Sequence, residues 1–262
     1  MEKTEIRKQK EAEFHNKVRD ERLRTNKEEY TKLTLNKKFY YITRKNREFV
    51  NNLLLKNKDE KVLDYCCGNG DFTIFLAKNG VESVGIDISD ISIQNAKNAA
   101  LREGVEQRAS FFVRDAEATQ FLENSFDIIT CLGVLHHLDT KKAFQELSRI
   151  LKPNGRVVCN EPLIYNPIFQ LYRKMTPSLR TKWETEHILS KKDIELANNY
   201  FGNIEIHFFH LATLFAVPFR NLSGFSFLLG VLEKIDSIIL KLPFLKWWAW
   251  QIVFILSDPK KP

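Results

Sequence analysis

Val62-Leu63-Asp64-Tyr65-Cys66-Cys67-Gly68-Asn69-Gly70-Asp71 decides how this chain is read. An apolar run reaches an acid, turns through two glycines, and enters the amphipathic segment Phe72-Thr73-Ile74-Phe75-Leu76-Ala77-Lys78. That order is strand, tight loop, helix. Gly68 and Gly70 supply positive φ and let a ligand approach where a Cβ would clash. The helix then begins at the loop with free N–H groups, a seat for a carboxylate or phosphate. A glycine turn alone is a weak signal. The next unit, Ser83-Val84-Gly85-Ile86-Asp87-Ile88-Ser89, sharpens it. Here a second strand ends in an acid placed to accept hydrogen bonds from ribose hydroxyls.

Working outward, strand and helix patterns alternate from Lys61, which implies right-handed crossovers and a parallel sheet. Strands are expected near 61–66, 82–87, 109–114, 126–132 and 155–160, and helices near 70–79, 90–103, 140–151 and 190–200. Ser89 is placed to N-cap the second helix and Gly104 to stop it. Lys152-Pro153-Asn154-Gly155 is turn chemistry between a helix and a strand. A sixth strand is expected from Asn203 to Leu211.

Residues 61–160 resemble the S-adenosylmethionine-binding domain of the Rossmann-like (class I) methyltransferases, in particular those acting on small molecules and quinones. The run from Asp64 to Gly70 is similar to that family's first motif and Asp87 to its ribose-binding acid. Arg114-Asp115-Ala116-Glu117 resembles the adenine turn. Phe126-Asp127-Ile128-Ile129-Thr130-Cys131-Leu132-Gly133-Val134-Leu135-His136-His137 resembles the fourth-strand motif, and Leu151-Lys152-Pro153-Asn154-Gly155-Arg156 the turn into strand five. Cys66 departs from the pattern, because many members carry glycine there. A cysteine is expected to fit with negative φ. The resemblance implies an α/β fold: a seven-stranded sheet with helices on both faces, ending on an antiparallel strand over Ala249–Leu256. It also implies S-adenosylmethionine as cofactor. Asp64 would then anchor the loop and the methionine amino group, and Gly68, Asn69 and Gly70, with Cys66 beside them, would frame the methionine. Asp87 would hold the ribose, Ile88 and Ala116 would sandwich adenine, Asp115 would bond its amino group, and Leu132 would lie beside the sulfonium.

The 262 residues fit one α/β domain with additions: a helical extension (1–58), a cofactor-binding core (59–211, with an insertion at 161–190), an apolar helical cap (212–248) and a final strand and tail (249–262). A hydrophobic share of 44% beside 28% charged residues is ordinary for a soluble globular protein. The four cysteines, Cys66, Cys67, Cys131 and Cys159, lack metal-ligand spacing, so no metal is expected. They suit a reducing setting, and Met1-Glu2-Lys3-Thr4-Glu5 leads into charge, so the expectation is a cytoplasmic chain without an export signal. The net charge of +7 is concentrated at the start, where residues 1–58 hold 17 Lys/Arg against 9 Asp/Glu. Glu11, Glu13, Asp20, Glu21, Glu28 and Glu29 interrupt that basicity. Such mixing disfavours a nucleic-acid tail and fits a solvated helical arm or one drawn to anionic lipid. Tyr40 or Tyr41 is placed to close the pocket or pack against it.

Two insertions follow the carboxyl ends of strands, the edge where ligands bind in open α/β sheets, so both are expected to roof the acceptor site. The second, Ala212 to Trp248, is strongly apolar, yet Pro218, Arg220, Glu233, Lys234, Asp236, Lys241, Pro243 and Lys246 break every stretch long enough to span a bilayer. It reads as a core-packed cap, a tunnel for a lipophilic substrate, or an interfacial helix with Trp247-Trp248 at headgroup depth.

A sulfonium methyl is already activated, so the protein must hold the acceptor close, in line and dry. An oxygen or acidic-carbon acceptor also needs a base. His136 and His137 at the tip of strand four, Glu161 at the end of strand five, and His187 in the first insertion are the candidates. His207 and His210 read as structural. The expectation is therefore a methyltransferase for a small-molecule or lipophilic acceptor, cytoplasmic and peripheral to a membrane, with its oligomeric state left open. An RNA methyltransferase using the basic arm and a cofactor-binding partner protein without catalysis are the alternatives.

Overall fold

The computed structural model describes residues 3–19, 35–56, 58–179 and 181–261; Asp20, Glu21, Glu28 and Glu29 of the arm lie outside them. Its centre is a seven-stranded sheet of β1 (Val62–Tyr65), β2 (Ser83–Asp87), β3 (Ala109–Val113), β4 (Phe126–Leu132), β5 (Leu151–Pro162), β6 (Phe201–Phe209) and β7 (Gln251–Pro259). The order across the sheet is β3-β2-β1-β4-β5-β7-β6. The first five strands run parallel, and β7 lies antiparallel between β5 and β6. All four residues of β1 are buried, because helices cover both faces of the sheet and leave no solvent side for an alternating pattern. The strand order reverses between β1 and β4, which opens a crevice at their carboxyl ends.

Around the sheet pack α3 (Asp71–Lys78), α4 (Asp90–Arg102), α5 (Thr140–Ile150) and α8 (Lys191–Leu196). Ser89 caps α4 by accepting the N–H of Ser92, and Gly104 follows its end at φ 65°. Two elements precede the core, α1 (Lys3–Arg19) and α2 (Arg44–Leu54), with a 3₁₀ segment Leu35–Ile42 between them. The first insertion forms α6 (Pro167–Met175) and α7 (Lys182–Glu186); the second forms a 3₁₀ segment, Ala212–Phe219, and α9 (Phe225–Ile239).

Three boundaries differ from the sequence expectation. Strand β5 begins at Leu151 rather than 155, since Leu151 already pairs with Phe126 across an irregular register. Strands β6 and β7 are each displaced by two residues or more. The cause is His210, whose φ of 67° ends the β6 ladder. Its carbonyl accepts the N–H of Trp250 at 2.8 Å and so fixes where β7 starts.

The cap is held by polar contacts as well as apolar ones. Asp236 of α9 is buried and accepts the N–H groups of Leu211, Ala212 and Thr213 together with the Thr213 hydroxyl. Arg44 of α2 donates two hydrogen bonds of 2.5 Å to Glu233. Beneath them Leu214, Ala216, Val217 and Leu229 pack on Phe39, Phe169 and Trp250.

Candidate functional site

At the carboxyl edge of the sheet lies a cavity of about 720 Å³. One side is built by the β1–α3 loop. Cys66, Gly68 and Gly70 all take positive φ, at 61°, 56° and 78°. The expected negative φ at Cys66 is thus wrong: the chain turns so sharply after Tyr65 that the cysteine adopts the left-handed conformation that usually selects glycine. Cys66, Cys67, Gly68 and Asn69 line the cavity, whereas Gly70 does not. Gly70 is needed for packing, because a Cβ there would stand 2.6 Å from the Phe111 ring and 2.8 Å from Ala96. As the residue before α3 it offers no side-chain cap, and the buried Asp64 carboxylate takes the backbone N–H of Thr73 in the first turn.

Asp87 at the end of β2 is buried and lines the cavity with Ile88. Its carboxylate accepts the N–H of Gly68 and of Ser89, each at 2.9 Å, which locks the glycine loop to strand two. Asp64 stays out of the wall. Its carboxylate accepts the Thr73 hydroxyl at 2.7 Å and the Thr130 hydroxyl at 3.3 Å, joining β1, α3 and β4. Burial pushes its pKa up to about 6, the threonine hydrogen bonds resist, and the like charge of Asp87 adds to the rise. Asp115, Ala116 and Leu132 also face the cavity, and Tyr65 reaches across from β1 to bond the Ala116 carbonyl.

The opposite side is chemically different. His136 is buried, and its Nδ1 lies 2.7 Å from Glu161 Oε2. The other Glu161 oxygen accepts the N–H groups of Val134 and Leu135 at 2.7 and 2.8 Å. Glu161 is therefore saturated and fully buried behind the cavity, while His136 lines it. With Nδ1 bonded to a carboxylate, Nε2 is the nitrogen without a hydrogen bond to Glu161, and it stands 4.0 Å from Glu184 Oε1, another residue of the cavity wall. His137 also lines the cavity but bonds Glu11 of α1 through Nδ1 at 3.0 Å. His187 does not line it: its ring stacks on Trp183 at 3.6 Å and its Nδ1 meets the Trp183 carbonyl at 2.9 Å. Beyond His136 runs an aromatic wall of Phe39, Phe169 and Trp250, the last two stacked 4.6 Å apart at 10°.

The roof is only half as expected. Residues of the first insertion, among them Phe169, Arg173, Leu179 and Glu184, line the cavity, and so does Tyr40. No residue of 212–248 does. The second insertion instead buttresses the aromatic wall from behind, because its apolar inner face finds Phe39, Phe169 and Trp250 before it reaches the opening.

Helix α1 closes another side, a role that nothing in its polar sequence announces. Lys8 donates to Asp115 at 2.6 Å, Arg7 pairs with Glu117, and Asn16 meets Ser89. Only charge complementarity between α1 and the acidic turn after β3 could have signalled this contact.

Comparison with known proteins agrees with this geometry. Residues 62–155 match the family model described as a methyltransferase domain. The demethylmenaquinone methyltransferase of Lactococcus lactis subsp. lactis is 37% identical over 122 residues, covering 43% of this chain and 48% of that protein. The 27-O-demethylrifamycin SV methyltransferase of Amycolatopsis mediterranei is 33% identical over 107 residues, covering 40% and 39%. The match thus spans about half the length, or less, of these relatives. Among solved structures, the geranyl diphosphate C-methyltransferase of Streptomyces coelicolor A3(2) superposes with a TM-score of 0.56, at 15% identity over 81% of this chain and 79% of that one. At that identity the likeness shows the fold. The chain therefore has a Rossmann-like α/β fold, and within it residues 62–155 are similar to a methyltransferase domain.

Proposed function

We propose that the protein transfers a methyl group from S-adenosylmethionine to an oxygen or ring carbon of a small lipophilic acceptor. The observation that carries this reading is one cavity holding both halves of the chemistry. The glycine loop and Asp87 occupy one side; His136, positioned by Glu161, faces it with an aromatic wall behind.

The cofactor edge suits the group it would hold. Asp87 is a buried carboxylate at a strand tip, where ribose hydroxyls find acceptors, and Ile88 and Ala116 offer apolar contact for adenine. When bound, the cofactor supplies an activated sulfonium methyl. His136 would take the proton from the acceptor hydroxyl or ring carbon at Nε2, while Glu161 fixes the tautomer and steadies the imidazolium. Phe169 and Trp250 would hold a flat acceptor by stacking and exclude water from it. In this reading residues 59–211 form the cofactor core, and 212–248 serve as support for the acceptor wall.

The outer surface of the cap supports delivery from a membrane. Phe227, Val231, Ile235 and Ile238 form one stripe of α9 at spacings of four, four and three residues, and all are exposed. Phe244 beyond the helix is 87% exposed. Such a surface is unusual for a protein meeting only water. Among the described residues no helix is long and apolar enough to cross a membrane, so the contact would be peripheral. The RNA reading loses support from α1, where Arg7 and Lys8 are spent on Glu117 and Asp115 rather than offered to phosphates.

Tritium transfer from labelled cofactor, compared across a lipid extract, RNA and a polar metabolite pool, tests this assignment. Label should enter the lipid fraction. Label confined to RNA would overturn the acceptor class, and no label in any pool would favour a binding protein without catalysis.

A further inference from the structure

Helix α1 brings Glu11 and His15, one turn apart, against His137 at the cavity. Glu11 Oε2 lies 3.0 Å from His137 Nδ1 and 3.7 Å from His15 Nε2. One donor atom from each of the three falls within 4.8 Å of the other two. Two ligands bound about 2.1 Å from a tetrahedral ion stand roughly 3.4 Å apart, so the first two separations bracket that value. Two imidazoles and one carboxylate form a donor set that suits zinc and related divalent transition metals.

Three further features fit an ion. Glu11 is held by the Thr181 hydroxyl, an outer contact of the kind that orients metal-binding carboxylates. The formal charges where α1 meets the β3 turn and His137 are also unbalanced. Arg7 and Lys8 face Glu11, Asp115 and Glu117, which leaves one negative charge. All three donor residues line the cavity, so a fourth position would open toward it.

We infer that Glu11, His15 and His137 form a binding site for a divalent transition-metal ion of the zinc type, which clasps α1 to the tip of β4. The ion would join a helix that otherwise makes mostly polar contacts with the core. Its open position would face the volume where an acceptor oxygen is held. The inference does not depend on methyl transfer, since the site is complete without cofactor or acceptor.

The test uses the full-length protein stripped with a chelator, with no cofactor present. Zinc is titrated by calorimetry against the wild type, His15→Ala and Glu11→Gln, and cobalt substitution reports geometry by its visible absorption. The expected result is one ion per chain, with tetrahedral cobalt bands in the wild type. Affinity should fall by more than about a hundredfold in both variants, since losing even an outer-shell partner costs 10–100-fold. A zinc-dependent rise in melting temperature should vanish in His15→Ala. Absence of saturable binding to the wild type would overturn the site. So would variants that bind as tightly as wild type, which would place the ion elsewhere, for example on the cysteines. Circular dichroism of each variant establishes that it is folded and should match the wild type.

Discussion

The cofactor edge and the cap solve opposite problems. At the edge, polar groups are buried and matched one by one, Asp87 to two backbone N–H groups and Asp64 to two threonines, and across the cavity Glu161 is matched to His136 and two more N–H groups in the same way. In the cap, large apolar side chains stand in the open while the helix is pinned by a single buried acid, Asp236, and one ion pair to α2. A polar group in the interior needs partners at fixed distances, whereas an apolar surface needs only a phase to enter. The difference teaches where specificity resides. The edge is a constellation that one substitution disables, and the cap is an area whose loss is graded.

Acid titration should separate the two regions most strongly. In the cap hinge, His210 is buried between Asn46 and Thr213, and burial pulls its pKa down to about 3. The unfolded chain binds that proton below pH 6.5 and the folded one does not, so stability is lost as pH falls from 6.5 toward 3, by at most about 5 kcal/mol. Asp64 at the edge acts the other way. Its folded pKa of about 6 lies above the unfolded value, so the folded state binds more protons between pH 4 and 6 and this contribution falls as pH rises through that window. The ceiling is about 3 kcal/mol. Denaturation free energies against pH should therefore show a weaker acid loss in His210→Gln and a gain at pH 7 in Asp64→Asn. Identical profiles for all three proteins would break the comparison.

Catalysis comes next. His136→Ala should lower kcat by about 10²–10⁴-fold while cofactor affinity holds, and Glu161→Gln should lower it less. Near-normal turnover in His136→Ala would mean that the acceptor needs no base from this residue. Asp87→Ala should weaken S-adenosylmethionine binding at least tenfold by calorimetry, since each hydrogen bond to a charged group contributes about 1.5–3 kcal/mol. An unchanged dissociation constant would remove Asp87 from the ribose site.

The smallest effects belong to the cap. Phe227→Ser with Phe244→Ser should reduce sedimentation with anionic vesicles roughly tenfold, given about 1.5–3 kcal/mol for each fully buried side chain and only partial insertion. Melting temperature should not change, because both rings are already at least 80% exposed. A marked fall in melting temperature with no effect on vesicles would return the outer face to the core.

Trp247 and Trp248 show how far sequence reaches. Read as a pair, they suggest two headgroup anchors. In the fold Trp247 packs on Phe208 and Tyr165, while Trp248 is half exposed and its carbonyl accepts the Asn166 side chain. Adjacent residues diverge because the short 3₁₀ turn at Leu245–Trp248 points them to different faces, and composition cannot report a face. His136 and His137 divide in the same manner, one toward Glu161 and the other toward α1.

By itself the sequence determined the sheet, the glycine loop, the acids at the strand tips and the apolar character of the cap. These are local or periodic signals, carried by spacing along the chain. Only the tertiary structure decided that Asp64 binds threonines rather than facing the cavity, that Glu161 positions His136 and that His187 stacks on Trp183. The same holds for the cap, which stands behind the aromatic wall instead of roofing it, and for α1, which meets the cofactor edge. Each of these depends on residues far apart in sequence competing for the same partner, and that competition is settled by packing.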